Sequence, residues 1–310
     1  MLWLILGGIF ALGCILAVIG FGTGAVRHLR IGSQGIKLVR DERTDFRKTE
    51  ANAGPFTNVK IDLPATWTAI SFKSSDHYGY EYQIFGNSSY YPSDTVEDST
   101  LRITLKSNPR FWGDFNLDWN DFSFGSTAGK QGKIIVYVPR DVSLNTVELN
   151  FAAGKYTVGP LTARQVRVQC PAGQVQLGAI DADQVDLRLT SGRMRADGIT
   201  ADALTGSLTA GELSLSAVSA NNVSLKATSG NLQFRGDAAK QLDTKVTAGS
   251  VILDLARPRR AYALSGKQSA GSVQVDGRSL TGSVEESNPG LTQLTLRVTA
   301  GSLDVNFARE

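Results

Sequence analysis

A glycine returns at a fixed interval through the second half of the chain, and that period limits the fold more than any other feature. Gly154, Gly173, Gly192, Gly211, Gly230 and Gly249 stand 19 residues apart, and Gly271 and Gly301 follow at intervals of 22 and 30. Each glycine closes a pair of small residues and opens a run of alternating apolar ones, as in CPAGQVQL, LTAGELSL and VTAGSLDV. A fixed period near 20 residues is the mark of a solenoid, with one rung per repeat.

Laid out in register, the repeats form columns. One column reads Val147, Val166, Val185, Leu204, Val223, Leu242, and a second reads Tyr156, Val175, Met194, Leu213, Leu232, Val251. Polar columns lie between, such as Lys155, Gln174, Arg193, Glu212, Asn231, Ser250. Alternation of this kind makes a strand with one dry and one wet face. Each rung then holds two strands hinged at the glycine, which marks a positive-φ turn or a place where backbones crowd. Parallel crossovers prefer the right-handed sense. One rung buries about six apolar side chains, at roughly 1.5–3 kcal/mol each. Ordering its backbone costs roughly 1–2 kcal/mol per residue. A single rung therefore does not fold alone, and the stack is obligatory.

Ahead of the repeats, Leu2 to Val26 carries no charged residue, which is long enough to span a bilayer. A cleaved signal peptide would want a basic start, and this chain opens Met-Leu-Trp. Gly20 and Gly24 form a GxxxG pair, suited to helix packing or simply common in membrane helices. Arg27, Arg30, Lys37 and Arg40 follow the span, so the positive-inside rule places what comes after it in the cytoplasm. Solenoids also occur outside cells, and the side of the membrane stays open. Residues 27–53 mix charge signs without periodicity and read as a juxtamembrane linker. From Gly54 to residue 144 come irregular strand-like pieces, among them VKIDLP, LRITLK and KIIVYVP. They read as atypical capping rungs of the same solenoid, as terminal repeats commonly are. The expected fold is thus all-β: a right-handed, single-chain β-solenoid of about 19 residues per rung over 54–310, regular over 145–310, preceded by a transmembrane helix at 1–26.

The best candidate for a binding surface is FWGDFNLDWNDFSF, where Phe111, Trp112, Phe115, Trp119 and Phe122 alternate with Asp114, Asp118 and Asp121. A nearby loop, Tyr78 to Tyr91, adds five tyrosines. Such a mixture suits a peptide, a sugar or the membrane interface; the other reading is a lid over the open end of the solenoid. The three aspartates lack the spacing of a calcium loop. Asp183 and Asp202 stack in register, which could pair an acid with a base as in a polysaccharide-cleaving enzyme, or form a solvated turn. Thr190, Thr209, Thr228 and Thr247 make a hydroxyl ladder.

Catalysis finds little footing. The two histidines, His28 and His77, stand apart from any nucleophile pattern, and no phosphate loop, dinucleotide fingerprint or metal spacing appears, so no cofactor is expected. A formal net charge of +3 and the lack of a recognition motif give no case for nucleic acid. Cys14 and Cys170 make no disulfide framework. The rung that comes last in the sequence, LTLRVTAGSLDVNF, would leave an open strand edge. Either residues 282–292 fold over it, or another copy stacks there in end-on self-association.

The apolar span, the polar tether, the IIVYVP strand and the TSGxLxL/TAGxLxL rungs together resemble the DUF4097 family, also called toastrack or putative adhesin, which includes LiaG-like envelope-stress proteins of bacteria. The resemblance covers roughly residues 54–310. It implies a β-solenoid held at the cell membrane, with protein partners in an envelope-stress system and no catalytic residues. The chain accordingly reads as a non-enzymatic scaffold or sensor surface. An extracellular adhesin or glycan-binding module is the alternative, and a β-helix carbohydrate enzyme the third.

Overall fold

The computed structural model describes residues 28–32, 35–39, 44–86, 90–107, 115–118, 131–280, 282–285 and 290–309. The apolar span expected at residues 2–26 lies outside them. Among the described residues no helix is long and apolar enough to cross a membrane. Apart from a 3-10 turn at Arg259–Ala261, the described elements are all β-strands.

The repeats stack as parallel strands. Val147 lies opposite Val166, Val166 opposite Val185, Val185 opposite Leu204, Leu204 opposite Val223, and Val223 opposite Leu242. All six are at most 3% exposed. The second column, from Tyr156 through Met194 to Val251, is stacked and buried in the same way. Two strands per rung are nevertheless too few. A third ladder runs through Leu161, Ile180, Ile199 and Val218, with Ala163, Ala182, Ala201 and Ala220 two positions on, all buried. Its segments are short, and alanine gives little apolar contrast against Asp181, Thr200 and Ser219, so in sequence they pass for a turn.

The glycine column meets both conditions at once. Gly154, Gly173, Gly192, Gly211 and Gly230 have φ between +92° and +121°. A Cβ on Gly192 would stand 2.1 Å from the carbonyl oxygen of Gly173, and one on Gly211 would stand 2.2 Å from that of Gly192. The corner therefore excludes side chains by conformation and by the packing of rung on rung. Backbone hydrogen bonds stitch it together, with Glu212 N donating to Gly192 O (2.9 Å) and Asn231 N to Gly211 O (2.8 Å).

The rungs do not stack in chain order. The strand Thr292–Val298 lies parallel between Asn231–Val246 and Tyr262–Gln268: Leu294 faces Leu242 on one side and Leu264 on the other. Ser302–Phe307 likewise lies between Ser250–Leu255 and Ser272–Val275. The glycines agree: a Cβ on Gly301 would meet Gly249 O at 2.3 Å, and one on Gly271 would meet Gly301 O at 2.2 Å. The open edge expected on the 292–307 rung is therefore filled on both sides. The end of the stack is the 262–275 rung, covered by short antiparallel strands, Ser283–Glu285 and Arg278–Leu280.

The other end is built similarly. Asn58–Ser75 lies parallel to Leu144–Val158, with Val59 opposite Val147 and Ile70 opposite Val158. Thr100–Ser107 and Gly132–Pro139 form the next level outward. Antiparallel strands then close it: Tyr90–Glu97 on the first, and Gly79–Gly86 followed by Thr44–Glu50 on the second. Residues 44–50, placed in the linker by their mixed charge, are thus an edge strand of the main sheet. Charge on an edge strand discourages pairing with other chains, and it also hides the alternation. Pro92 on the opposite edge, Tyr90–Glu97, acts in the same sense. Further strands, His28–Gly32 and Gly35–Val39, form a hairpin inside the expected linker.

Candidate functional site

Of the aromatic–acidic stretch, Phe115 and Asp118 fall in the described strand Phe115–Asp118; Phe111, Trp112, Asp114, Trp119, Asp121 and Phe122 lie outside the described residues. That strand pairs antiparallel with His28–Gly32, Phe115 opposite Ile31 and Asp118 opposite His28. Two of the five neighbouring tyrosines turn inward, while Tyr91 is exposed. Tyr80 and Tyr82 alternate inward on the Gly79–Gly86 strand and are 3% and 6% exposed. The Y-E-Y-Q-I register of residues 80–84 had the signal of a half-buried strand, and the density of tyrosine obscured it.

The stacked aspartates sit on an exposed corner. Ala182 pairs with Ala201 and Gln184 with Ala203 on either side of Asp183 and Asp202. Asp202 accepts a hydrogen bond from Asn221 Nδ2 (2.9 Å), as a solvated turn would. Among the described residues no three His, Cys, Asp or Glu side chains converge as metal ligands.

Near the N-terminal cap an open hollow of about 350 Å³ is lined by Thr49, Lys73, Ser75, His77, Glu81 and Tyr137 among others. His77 stacks on Tyr137 with ring centroids 6.1 Å apart. Its Nδ1 lies 2.8 Å from Asp76 Oδ1 and 3.1 Å from Ser75 Oγ. A Ser–His–Asp relay needs the hydroxyl and the carboxylate on opposite ring nitrogens. Here both approach the same one, so the constellation is a local turn contact.

Two polar clusters at the ends of the stack escaped the sequence reading. At the N-terminal cap, the Asp94 side chain is 8% exposed and receives bonds from Lys48 Nζ, Tyr80 Oη and Tyr82 Oη. Burial is the largest influence on the Asp94 carboxyl and raises its pKa, but the three donors outweigh it and hold the group below the ordinary range. Burial, with Asp94 as acceptor, pushes the Tyr80 hydroxyl up to about 12. At the other end, Asp237 pairs with the Arg257 guanidinium and accepts from Tyr262 Oη (2.5 Å), while Arg257 Nη2 also donates to Thr292 Oγ1 (2.7 Å). Arg257 lies over the Tyr262 ring, 5.0 Å from its centroid. Asp94 ties the Tyr90–Glu97 strand to Thr44–Glu50 and Gly79–Gly86, and Arg257 ties the inserted rung to both neighbours. Both clusters fasten ends. No short-range pattern marks them, because the bonded partners are 12 to 46 residues apart at one end and 20 to 35 at the other.

The exterior is a set of flat ladders. Lys60 Nζ reaches Glu148 (2.8 Å), Arg167 reaches Asp186 (3.6 Å) and Arg193 reaches Glu212 (2.8 Å) across successive rungs. Exposed pairs of this kind add little stability each. What they leave is a broad polar face on a rigid support.

The sequence matches the Toastrack DUF4097 family over residues 58–306. No curated protein matches it. Among solved structures it is similar to a putative lipid binding protein of Parabacteroides distasonis (11% identity, TM-score 0.50, covering 87% of this chain and 99% of that one). It is also similar to a putative adhesin of Bacteroides fragilis (12% identity, TM-score 0.48, covering 86% and 99%). At such identities the likeness concerns the fold alone.

Proposed function

Because the chain belongs to the Toastrack DUF4097 family, we propose that it is a non-enzymatic surface module: a right-handed β-solenoid tethered to the cell membrane through residues 2–26, serving as scaffold or sensor in the bacterial cell-envelope stress response. One observation carries this reading. The interior is a single dry stack, and the carboxylates of the two end clusters, buried Asp94 and half-buried Asp237, are engaged in fastening the ends, so the chemistry of the molecule is presented on its outer ladders. The pairing of Phe115–Asp118 with residues 28–31 sets this one described strand of the aromatic stretch beside the first residues after the apolar span. That supports the region around Phe111 to Phe122 as a membrane-interface or partner contact. Protein partners dock on the ladders in this reading.

The alternative, an extracellular adhesin or glycan-binding module, uses the same surface on the other side of the membrane. Protease treatment of intact cells separates the two. Protection of the solenoid until the cells are lysed is expected for the sensor reading, and cleavage from outside overturns it. An activity against wall polysaccharides that Asp183→Asn or Asp202→Asn abolishes would overturn both.

A further inference from the structure

One exterior column breaks the charge alternation of its neighbours. Lys226 lies opposite Lys245, Lys245 opposite Arg297, and Arg297 opposite Lys267. The file therefore places four exposed cations on four consecutive rungs, at about 4.8 Å per rung. Arg297 enters between Lys245 and Lys267 because the stack departs from chain order. Arg297 has an ion pair with Asp243 (3.2 Å); among the described residues Lys226, Lys245 and Lys267 have none. Like charges directly opposite one another oppose sheet pairing, whereas the adjacent column on the same face alternates Lys60, Glu148, Arg167 and Asp186 in ion pairs. Hydroxyls border the cations on both sides. Ser224, Thr295 and Ser265 stand two residues before Lys226, Arg297 and Lys267, and Thr228, Thr247 and Thr299 two residues after Lys226, Lys245 and Arg297. Thr228 and Thr247 of the threonine ladder noted in the sequence belong to the rim of this file.

We propose that the Lys226–Lys245–Arg297–Lys267 file is a binding track for a linear polyanion laid along the solenoid axis. A linear polymer with repeated negative charges meets successive cations at the rung spacing, and the flanking hydroxyls supply hydrogen-bond donors to its oxygens. A membrane leaflet is the poorer fit, because it rewards cations spread over a plane, and here they stand in single file beside the Asp243 carboxylate. The track holds on either side of the membrane, so it stands or falls apart from the envelope-stress reading.

The test uses the full chain in discs of zwitterionic lipid, titrated with linear polyphosphate at 50 and 200 mM salt. Four contacts give a slope of log K against log salt of about −3, and so a loss of about 50-fold between those concentrations. Replacing Lys226, Lys245 and Lys267 together by Gln should bring the slope to about −1 and weaken binding at low salt by at least about tenfold. Replacing Arg193, Arg195 and Arg235 by Gln removes the same charge from another face and should leave affinity within about twofold. Equal losses in the two triple variants would reduce the effect to net charge and overturn the track. So would failure of polyphosphate to bind, inorganic phosphate competing as well as polymer at equal phosphate, or vesicles of anionic lipid binding through the same lysines as tightly as polyphosphate.

Discussion

The glycine corner gives the sharpest quantitative expectation. In Gly211→Ala the new Cβ would stand 2.2 Å from the Gly192 carbonyl oxygen and 2.8 Å from its nitrogen, at a φ of +101°. Both obstacles are backbone, so no side-chain rotation relieves them. The conformational cost is about 1–3 kcal/mol. Moving the rungs apart weakens the bonds from Ala210 N to Thr190 O (2.7 Å) and from Glu212 N to Gly192 O (2.9 Å), at about 0.5–1.5 kcal/mol each. The sum is about 2–6 kcal/mol.

Two other glycines separate the contributions. Gly277 has a φ of +74° and open space around it, and Gly266 has open space with no left-handed φ. Gly277→Ala should cost about 1–2 kcal/mol from conformation alone, and Gly266→Ala should be neutral or stabilising by up to about 1 kcal/mol. Urea unfolding of the three full-length variants in detergent measures the order. Amide exchange in the corner residues reads the same effect locally, which matters because repeat arrays can depart from two-state behaviour. If Gly211→Ala cost no more than Gly277→Ala, rung-to-rung crowding would not be what keeps glycine in the column.

Asp94→Asn should loosen the N-terminal cap by about 1–3 kcal/mol, because Lys48 and two tyrosines lose a charged acceptor; faster exchange on Gly79–Gly86 than on the central rungs is the readout. With the folded carboxyl held low, its contribution is complete above the ordinary carboxylate pKa near 4 and lost as pH falls through the folded value, so Asp94→Asn should flatten the acid limb of stability. Tyr80 works in the opposite sense: raised to about 12, it favours the cap below the ordinary tyrosine value near 10 and ceases to as pH climbs from there to about 12. The Cys170 thiol is buried and pushed up to about 11 by burial, so alkylation mapped to Cys170 at pH 8 should follow global unfolding; fast labelling in native buffer would contradict its inward position. Deleting residues 291–310 removes an inner rung, and the protease-resistant core should then end near Leu255, with 262–285 digested as well. Survival of 262–285 would mean that this segment needs no inserted neighbour.

The regular stack was legible because nineteen residues return every chemical role to the same column, as Val185, Leu204 and Val223 do. The rest was hidden for particular reasons. The alanine ladder is short and low in contrast. The Thr44–Glu50 edge strand carries solubilising charge where a strand pattern would show hydrophobes. Tyr80 and Tyr82 are amphipathic, and their burial depends on Asp94, which no local rule connects to them. The inserted rung is hidden because Leu242, Leu264 and Leu294 are chemically alike, and apolar columns state what faces inward without stating which rung is next.

That equivalence raises the question of what sets the order. Apolar contacts would serve almost as well if Tyr262–Val275 docked directly on Asn231–Leu255 and the 292–307 rung stacked outside it. The Asp237–Arg257–Tyr262–Thr292 cluster discriminates, because Arg257 reaches Thr292 only with that rung inside. A half-exposed ion pair of this kind contributes little net stability, but polar groups packed between strands can specify register. Replacing Asp237 by Leu together with Arg257 by Met should therefore leave overall stability nearly unchanged and admit the slipped order. Opposed residues on adjacent strands lie within disulfide reach, so Lys245→Cys with Arg297→Cys should crosslink in the parent, and Lys245→Cys with Lys267→Cys should not. In the Leu/Met background the second pair should begin to crosslink. If it does not, and the first pair closes as completely as before, the order of the rungs is set by the loops that join them, and the cluster is only a fastening.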